Sequence, residues 1–186
     1  MTGKLSGTDW WRANQARYPN SRSIDDLDPG FRSRVEDFIA CLKQAGASIT
    51  VNSTRRDPGR AYLMHYAWEV AYREIDPADV PRRSGVDIDW DHGEDGASRE
   101  AAEEMVQLFG MAHKAALTSN HIVGKAIDMN ITWRSILVLT RPAPLLARIE
   151  SRPRTGQNRE VQDIGGSVFG VRKLVSDPPH WSYDGK

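Results

Sequence analysis

The sequence predicts an α+β domain, because segments with the apolar period of helices are interspersed with short segments that alternate like strands. Phe31, Val35, Phe38, Ile39 and Leu42 recur at spacings of three and four, which predicts a helix over residues 31–45 stopped by Gly46. Ser48-Ile-Thr-Val-Asn-Ser-Thr54 alternates and is β-branched, the pattern of a strand that delivers Ser53 to Arg56 at its end. Pro58 suits a first helical turn, and Leu63, Ala67, Val70 and Ala71 give the following helix, residues 59–73, an apolar face. Ser98 is read as the N-cap of a third helix over 99–117, lined by Ala102, Met105, Val106, Leu108, Phe109, Ala112 and Ala116. Residues 125–133 alternate again, with Ala126, Asp128, Asn130 and Thr132 on one side and Ile127, Met129 and Ile131 on the other.

Between these elements the sequence is less regular. Residues 1–30 carry Pro19, Pro29 and several Asp and Ser and are read as an irregular lead-in, with Trp10 and Trp11 as pins to the body. The remainder, 31–186, is long enough for one domain with an apolar core. Pro77, Pro81 and Gly85 make 76–97 a loop, and 135–139 is open between strand and helix. The Pro178-Pro179 pair forbids helix and predicts an extended approach to His180.

Composition excludes several classes of function. The 25 basic and 25 acidic side chains cancel, so no net field draws the chain to nucleic acid. No apolar run approaches the ~20 residues of a membrane span, and the first residues lack the apolar segment of a secretion signal. The single cysteine, Cys41, leaves no internal disulfide and no cysteine-rich zinc cluster; a metal here must rely on His and carboxylate.

Such a set is present. His121-x-x-Gly124-x-Ala126-x-Asp128 places a His on a loop and a carboxylate on the strand that follows, with Gly124 letting the chain turn between them. His180, behind its two prolines, offers a third ligand, and Asp177 sits three residues before it. Hydrolytic zinc takes three protein ligands and an open position for water, with a carboxylate nearby to accept the water's proton. His65, His92 and His113 lack matching partners and are read as structural or solvated, and Asp87-Ile-Asp89-Trp-Asp91 as a solvated acidic turn.

These motifs resemble the zinc D-Ala-D-Ala peptidases, a family that includes vancomycin-resistance D,D-peptidases, D,D-carboxypeptidases and phage L-alanyl-D-glutamate endolysins. The family pattern Ser-x-His-x-x-Gly-x-Ala-x-Asp is found whole from Ser119 to Asp128, and its acidic-x-x-His-aromatic pattern as Asp177-Pro178-Pro179-His180-Trp181. The resemblance implies Zn2+ at His121, Asp128 and His180, with Asp177 as general base. Its Ser-Gly-Tyr-Arg-Ser-Pro type turn aligns in part with Ser53-Thr54-Arg55-Arg56-Asp57-Pro58, which implies Arg56, or Arg55 if the register shifts by one, as the catalytic anchor for a substrate carboxylate or oxyanion. Ser119 is open between binding substrate, orienting His121 and capping a loop; Trp181 between walling the site and filling the core.

The implied fold is a small, largely antiparallel sheet carrying the metal site and covered by helices, of the hedgehog/D,D-peptidase kind. The implied reaction is hydrolysis of an amide in the peptidoglycan stem peptide, and Asp rather than Glu at 177 favours the endopeptidase branch over D,D-carboxypeptidases. A monomer is expected, made in the cytoplasm and acting in the periplasm or on the cell wall after release by a phage lysis system or injection as an effector. That route leaves room for a delivery or immunity protein. The alternative is a non-catalytic wall-binding or structural module of a phage tail or secretion apparatus.

Overall fold

The computed structural model describes residues 4–144 and 147–186, so Met1 to Gly3 of the lead-in and Leu145-Leu146 lie outside the described residues. In chain order the helices are α1 (Thr8–Asn14), α2 (Pro29–Gln44), α3 (Pro58–Ala71), α4 (Asp95–Phe109) and α5 (Arg159–Ile164). The strands are β1 (Ser48–Ser53), β2 (Ala126–Thr132), β3 (Leu137–Leu139), β4 (Ala147–Ile149), β5 (Arg172–Lys173) and β6 (His180–Ser182). The chain divides into two compact units, and the divisions fall after Pro19, Arg55 and Ser119 rather than at residue 30.

The first unit, 1–19 with 56–119, is helical. Asp57 caps α3 by accepting from the Gly59 and Arg60 amides at 2.7 and 3.1 Å, and Pro58 occupies the first turn as expected. Leu63, Ala67 and Val70 of α3 pack against Ala102, Met105 and Val106 of α4. The lead-in contains a helix, α1, because Trp10 and Trp11 are both buried in this core and order the turn that carries them. The third helix begins earlier and ends sooner than its apolar pattern suggests. Glu94, not Ser98, caps α4, and Ser98 is fully buried within it, its Oγ donating to the Glu94 carbonyl at 2.9 Å. Gly110, at φ +65°, ends that helix in the left-handed conformation, so Ala112 and Ala116 lie beyond it.

The second unit, 20–55 with 120–186, holds all six strands found among the described residues. Its main sheet has the order β1-β2-β6-β5, antiparallel throughout, and β3 pairs with β4 in a separate hairpin. Asp28 caps α2 through the Gly30 and Phe31 amides at 3.1 and 3.2 Å. That helix buries Val35, Phe38 and Leu42 in one core with Ile127, Met129 and Ile131 of β2, Leu137, Leu139, Ile149 and Trp181. Alternation in β2 is as predicted: the three apolar residues are buried, Asn130 and Thr132 are exposed, and Asp128 is half-buried on the polar side. Among the described residues no helix is long and apolar enough to cross a membrane.

Candidate metal centre

Two strands and a loop of the second unit bring the predicted ligands together. Asp128 of β2 and His180 of β6 are direct partners across the antiparallel ladder, and opposed residues in such a ladder hold their Cβ atoms ~4.5–5.5 Å apart. His121 arrives from the turn that precedes β2, a turn closed by the Gly124 amide donating to the His121 carbonyl at 3.2 Å. Gly124 lies at φ +70°, and a Cβ there would stand 2.8 Å from the Asp28 amide nitrogen. It thus supplies both the turn anticipated from sequence and a close backbone approach.

Three donor atoms converge. His121 Nε2 lies 3.2 Å from Asp128 Oδ1 and 3.2 Å from His180 Nδ1, and His180 Nδ1 lies 3.1 Å from Asp128 Oδ1. Two ligands bonded at about 2.0–2.1 Å to one tetrahedral ion stand about 3.3 Å apart, so this triangle has the spacing of a three-ligand face. Both histidines are buried, and the Asp128 side chain is 17% exposed.

The remaining ring nitrogens fix what these atoms are. His121 Nδ1 donates to the Thr54 carbonyl at 2.6 Å, and His180 Nε2 donates to the Lys186 main-chain oxygen at 3.1 Å. A carbonyl only accepts, so both outer nitrogens carry hydrogen, and in the neutral rings Nε2 of His121 and Nδ1 of His180 present lone pairs. With neutral rings two lone pairs and a carboxylate oxygen face one another, an arrangement that a metal ion between them, or a proton on an inner ring nitrogen, relieves. This buried His121-Asp128-His180 group can hold a metal ion, and no other cluster of this kind occurs among the described residues.

When no metal is bound and the inner ring nitrogens carry protons instead, burial raises the Asp128 pKa, but hydrogen bonds and charges from His121 and His180 outweigh it and hold the carboxyl well below the usual carboxylate range.

Thr54 was not legible as part of the site. It is fully buried, its amide donates to the Ser21 carbonyl at 2.7 Å and its Oγ1 to the Ser23 carbonyl at 2.8 Å, which fixes the carbonyl that orients His121. A bulge precedes it: Val51 pairs with Met129 and Ser53 with Asp128, so Asn52 is the extra residue that re-aims the strand end. Lys186 is held in turn by Asn120 Nδ2, which donates to its main-chain oxygen at 2.9 Å and to Asp184 Oδ1 at 2.8 Å.

The other predicted site residues are placed differently. Trp181 is fully buried, its ring 5.5 Å from that of Phe38, so of the two roles left open it takes the core one and does not wall the site. Asp177 is exposed, three residues before His180 in a tight turn, because the His180 amide donates to the Asp177 carbonyl at 3.1 Å. The two prolines thus sit inside that turn, which replaces the extended approach predicted for them. Arg56 and Ser119 belong to the first unit, each partly buried. His65 and His92 are engaged in that unit's own structure, with Ala115 and Glu69 and with Ser6.

Compared with protein-family models, curated proteins and solved structures, the chain matches none of them.

Proposed function

We propose that this chain is a zinc-dependent peptidase that hydrolyses an amide bond in the stem peptide of bacterial peptidoglycan, on a fold of the hedgehog/D,D-peptidase kind. The observation that carries the reading is the triangle of two imidazole lone pairs and one carboxylate oxygen, spaced 3.1–3.2 Å apart with both tautomers set by main-chain oxygens. Two nitrogens and one oxygen suit zinc better than calcium or magnesium, which take oxygen ligands. The same residues complete the two sequence motifs shared with zinc D-Ala-D-Ala peptidases, and Asp at 177 favours cleavage inside the stem peptide.

His121, Asp128 and His180 would hold the ion, which when bound polarises the scissile carbonyl and lowers the pKa of water. Thr54 and Lys186 keep the imidazoles in the ligating tautomer through their main-chain oxygens. Asp177 accepts the proton of the attacking water and passes it to the leaving amine. Its exposure leaves the carboxylate accessible to an incoming substrate. Arg56 is assigned the substrate carboxylate or the developing oxyanion, and Ser119 a substrate hydrogen bond.

The test is metal analysis of the purified chain followed by digestion of purified peptidoglycan and mass spectrometry of the muropeptides. One zinc per chain and new amino termini within the stem, lost in His180→Ala, are expected. A chain that binds zinc and peptidoglycan yet releases no amino group overturns the peptidase reading in favour of a wall-binding module.

A further inference from the structure

Six residues, 174–179, connect β5 to β6; they carry Asp177 and lead directly into His180, the first residue of β6. The segment is closed at its ends by the Leu174 amide donating to the His180 carbonyl at 3.2 Å. Inside it the Asp177 amide donates to the Leu174 carbonyl at 3.2 Å and the His180 amide to the Asp177 carbonyl at 3.1 Å. Each of these three carbonyl oxygens therefore uses one lone pair on the segment's own backbone. The second lone pair of each converges on a single atom, Lys173 Nζ, which donates to Leu174 at 2.5 Å, to His180 at 3.0 Å and to Asp177.

An ammonium has three donors and no acceptor, so three carbonyls satisfy it completely. The negative ends of three peptide dipoles aimed at one point repel one another unless a cation sits among them, and Lys173 supplies that cation covalently. Its stem is held as well: β5 pairs Lys173 with Trp181, and Nζ lies 5.6 Å from the centre of the Trp181 ring.

We propose that Lys173 is the positioning residue of the metal centre, its ammonium holding closed the loop that sets His180 and Asp177. The proposal rests on the reading of His121, Asp128 and His180 as metal ligands. Lys173 touches neither the donor triangle nor substrate; it acts through the main chain of the residues that do. The Pro178-Pro179 pair restricts the loop locally but offers no amide donors; its carbonyls are held from outside, Pro179 by the Met129 amide at 2.8 Å and Pro178 by Gln157 Nε2 at 3.0 Å, and Lys173 gathers the other three.

Lys173→Met keeps the stem that covers Trp181 and removes all three donors. Competition titration of the chain with zinc ion and a chromophoric chelator is expected to show a 10- to 100-fold weaker affinity, about the range for residues that orient metal ligands. Amide hydrogen exchange in 174–180 of the metal-free chain is expected to accelerate. Lys173→Arg, which keeps charge and donors, is expected to recover most of the affinity. A variant with a lower melting temperature but unchanged zinc affinity would show a merely structural role and overturn the proposal. Should Lys173→Met fail to fold, Lys173→Gln carries the same titration, with at least a ~5-fold loss expected and unchanged affinity overturning it. A wild-type chain that binds no zinc refutes the metal centre instead, while exchange at 174–180 in the Lys173 variants still reports on the clamp.

Discussion

Gly124→Ala tests the physical logic of the site most directly, because the position is constrained twice. A residue other than glycine at φ +70° costs about 1–2 kcal/mol. The added Cβ would stand 2.8 Å from the Asp28 nitrogen, 3.2 Å from the Asp26 oxygen and 3.3 Å from the Leu27 carbonyl carbon, all of them backbone atoms. Moving backbone to relieve such overpacking costs about 1–3 kcal/mol. The shift also strains the hydrogen bond from the Asp28 amide to the Gly124 carbonyl, 2.9 Å long, worth about 1 kcal/mol. Together the substitution is expected to destabilise the second unit by about 3–6 kcal/mol. Gly46→Ala is the control: φ is +93° but nothing lies within 4 Å of its Cβ, so only the conformational cost of about 1–2 kcal/mol applies. Urea unfolding of both variants in chelator separates the two contributions. A Gly124→Ala variant no less stable than Gly46→Ala would refute the claim that the ligand turn is fixed by contact with the start of α2.

Three further outcomes are expected. Zinc at 100 times its dissociation constant should stabilise the chain by about 2.7 kcal/mol, a rise in Tm of roughly 5–10 °C that a chelator reverses; equal Tm with and without zinc would argue against a folded-state site. Asp177→Ala should retain one zinc per chain while kcat on stem peptide falls about 100- to 10,000-fold, and undiminished turnover would remove Asp177 from the role of base. In the metal-free chain the depressed Asp128 carboxyl contributes stability that is complete above the unfolded value of about 4 and is lost as pH falls through the lower folded value. The stability difference between wild type and Asp128→Asn in chelator should accordingly narrow below pH 4, and a pH-independent difference would contradict the coupling to His121 and His180.

Much of the second unit was legible because its signals are side-chain signals. The period-two pattern of Ile127, Met129 and Ile131 fixed which side of β2 carries Asp128, and Gly124 marked the turn that returns His121 to it. What escaped was carried by the backbone. Thr54 and Lys186 orient the imidazoles through main-chain oxygens, which every residue possesses, so no residue type announces them. The bulge at Asn52 is likewise a matter of register, visible only when β1 is laid against β2. Helix α4 was overextended because Ala112 and Ala116 kept the apolar period going past Gly110, where a left-handed glycine outweighed it. The two-unit division joins segments distant in sequence, and a linear pattern carries no sign of it.

The site and the core of the second unit are two readings of one register. Ile127 opposes Trp181 and Asp128 opposes His180 on the same two strands, one pair buried in the core and the next facing its partner ligand. Because side chains alternate with period two, a slip of β6 by one residue would trade these faces. It would expose Trp181, now fully buried, and forfeit about 2–3 kcal/mol of apolar burial, while driving the His180 imidazole into hydrocarbon without its acceptor. Packing against Phe38 and its neighbours therefore sets the register that places Asp128 opposite His180, and the Lys173 clamp proposed above acts on the loop that leads into that pair. The third candidate ligand, His121, lies outside this ladder and has a device of its own. That device is the Gly124 turn, held from one side by Asp28 and from the other by the Thr54 carbonyl on the His121 ring.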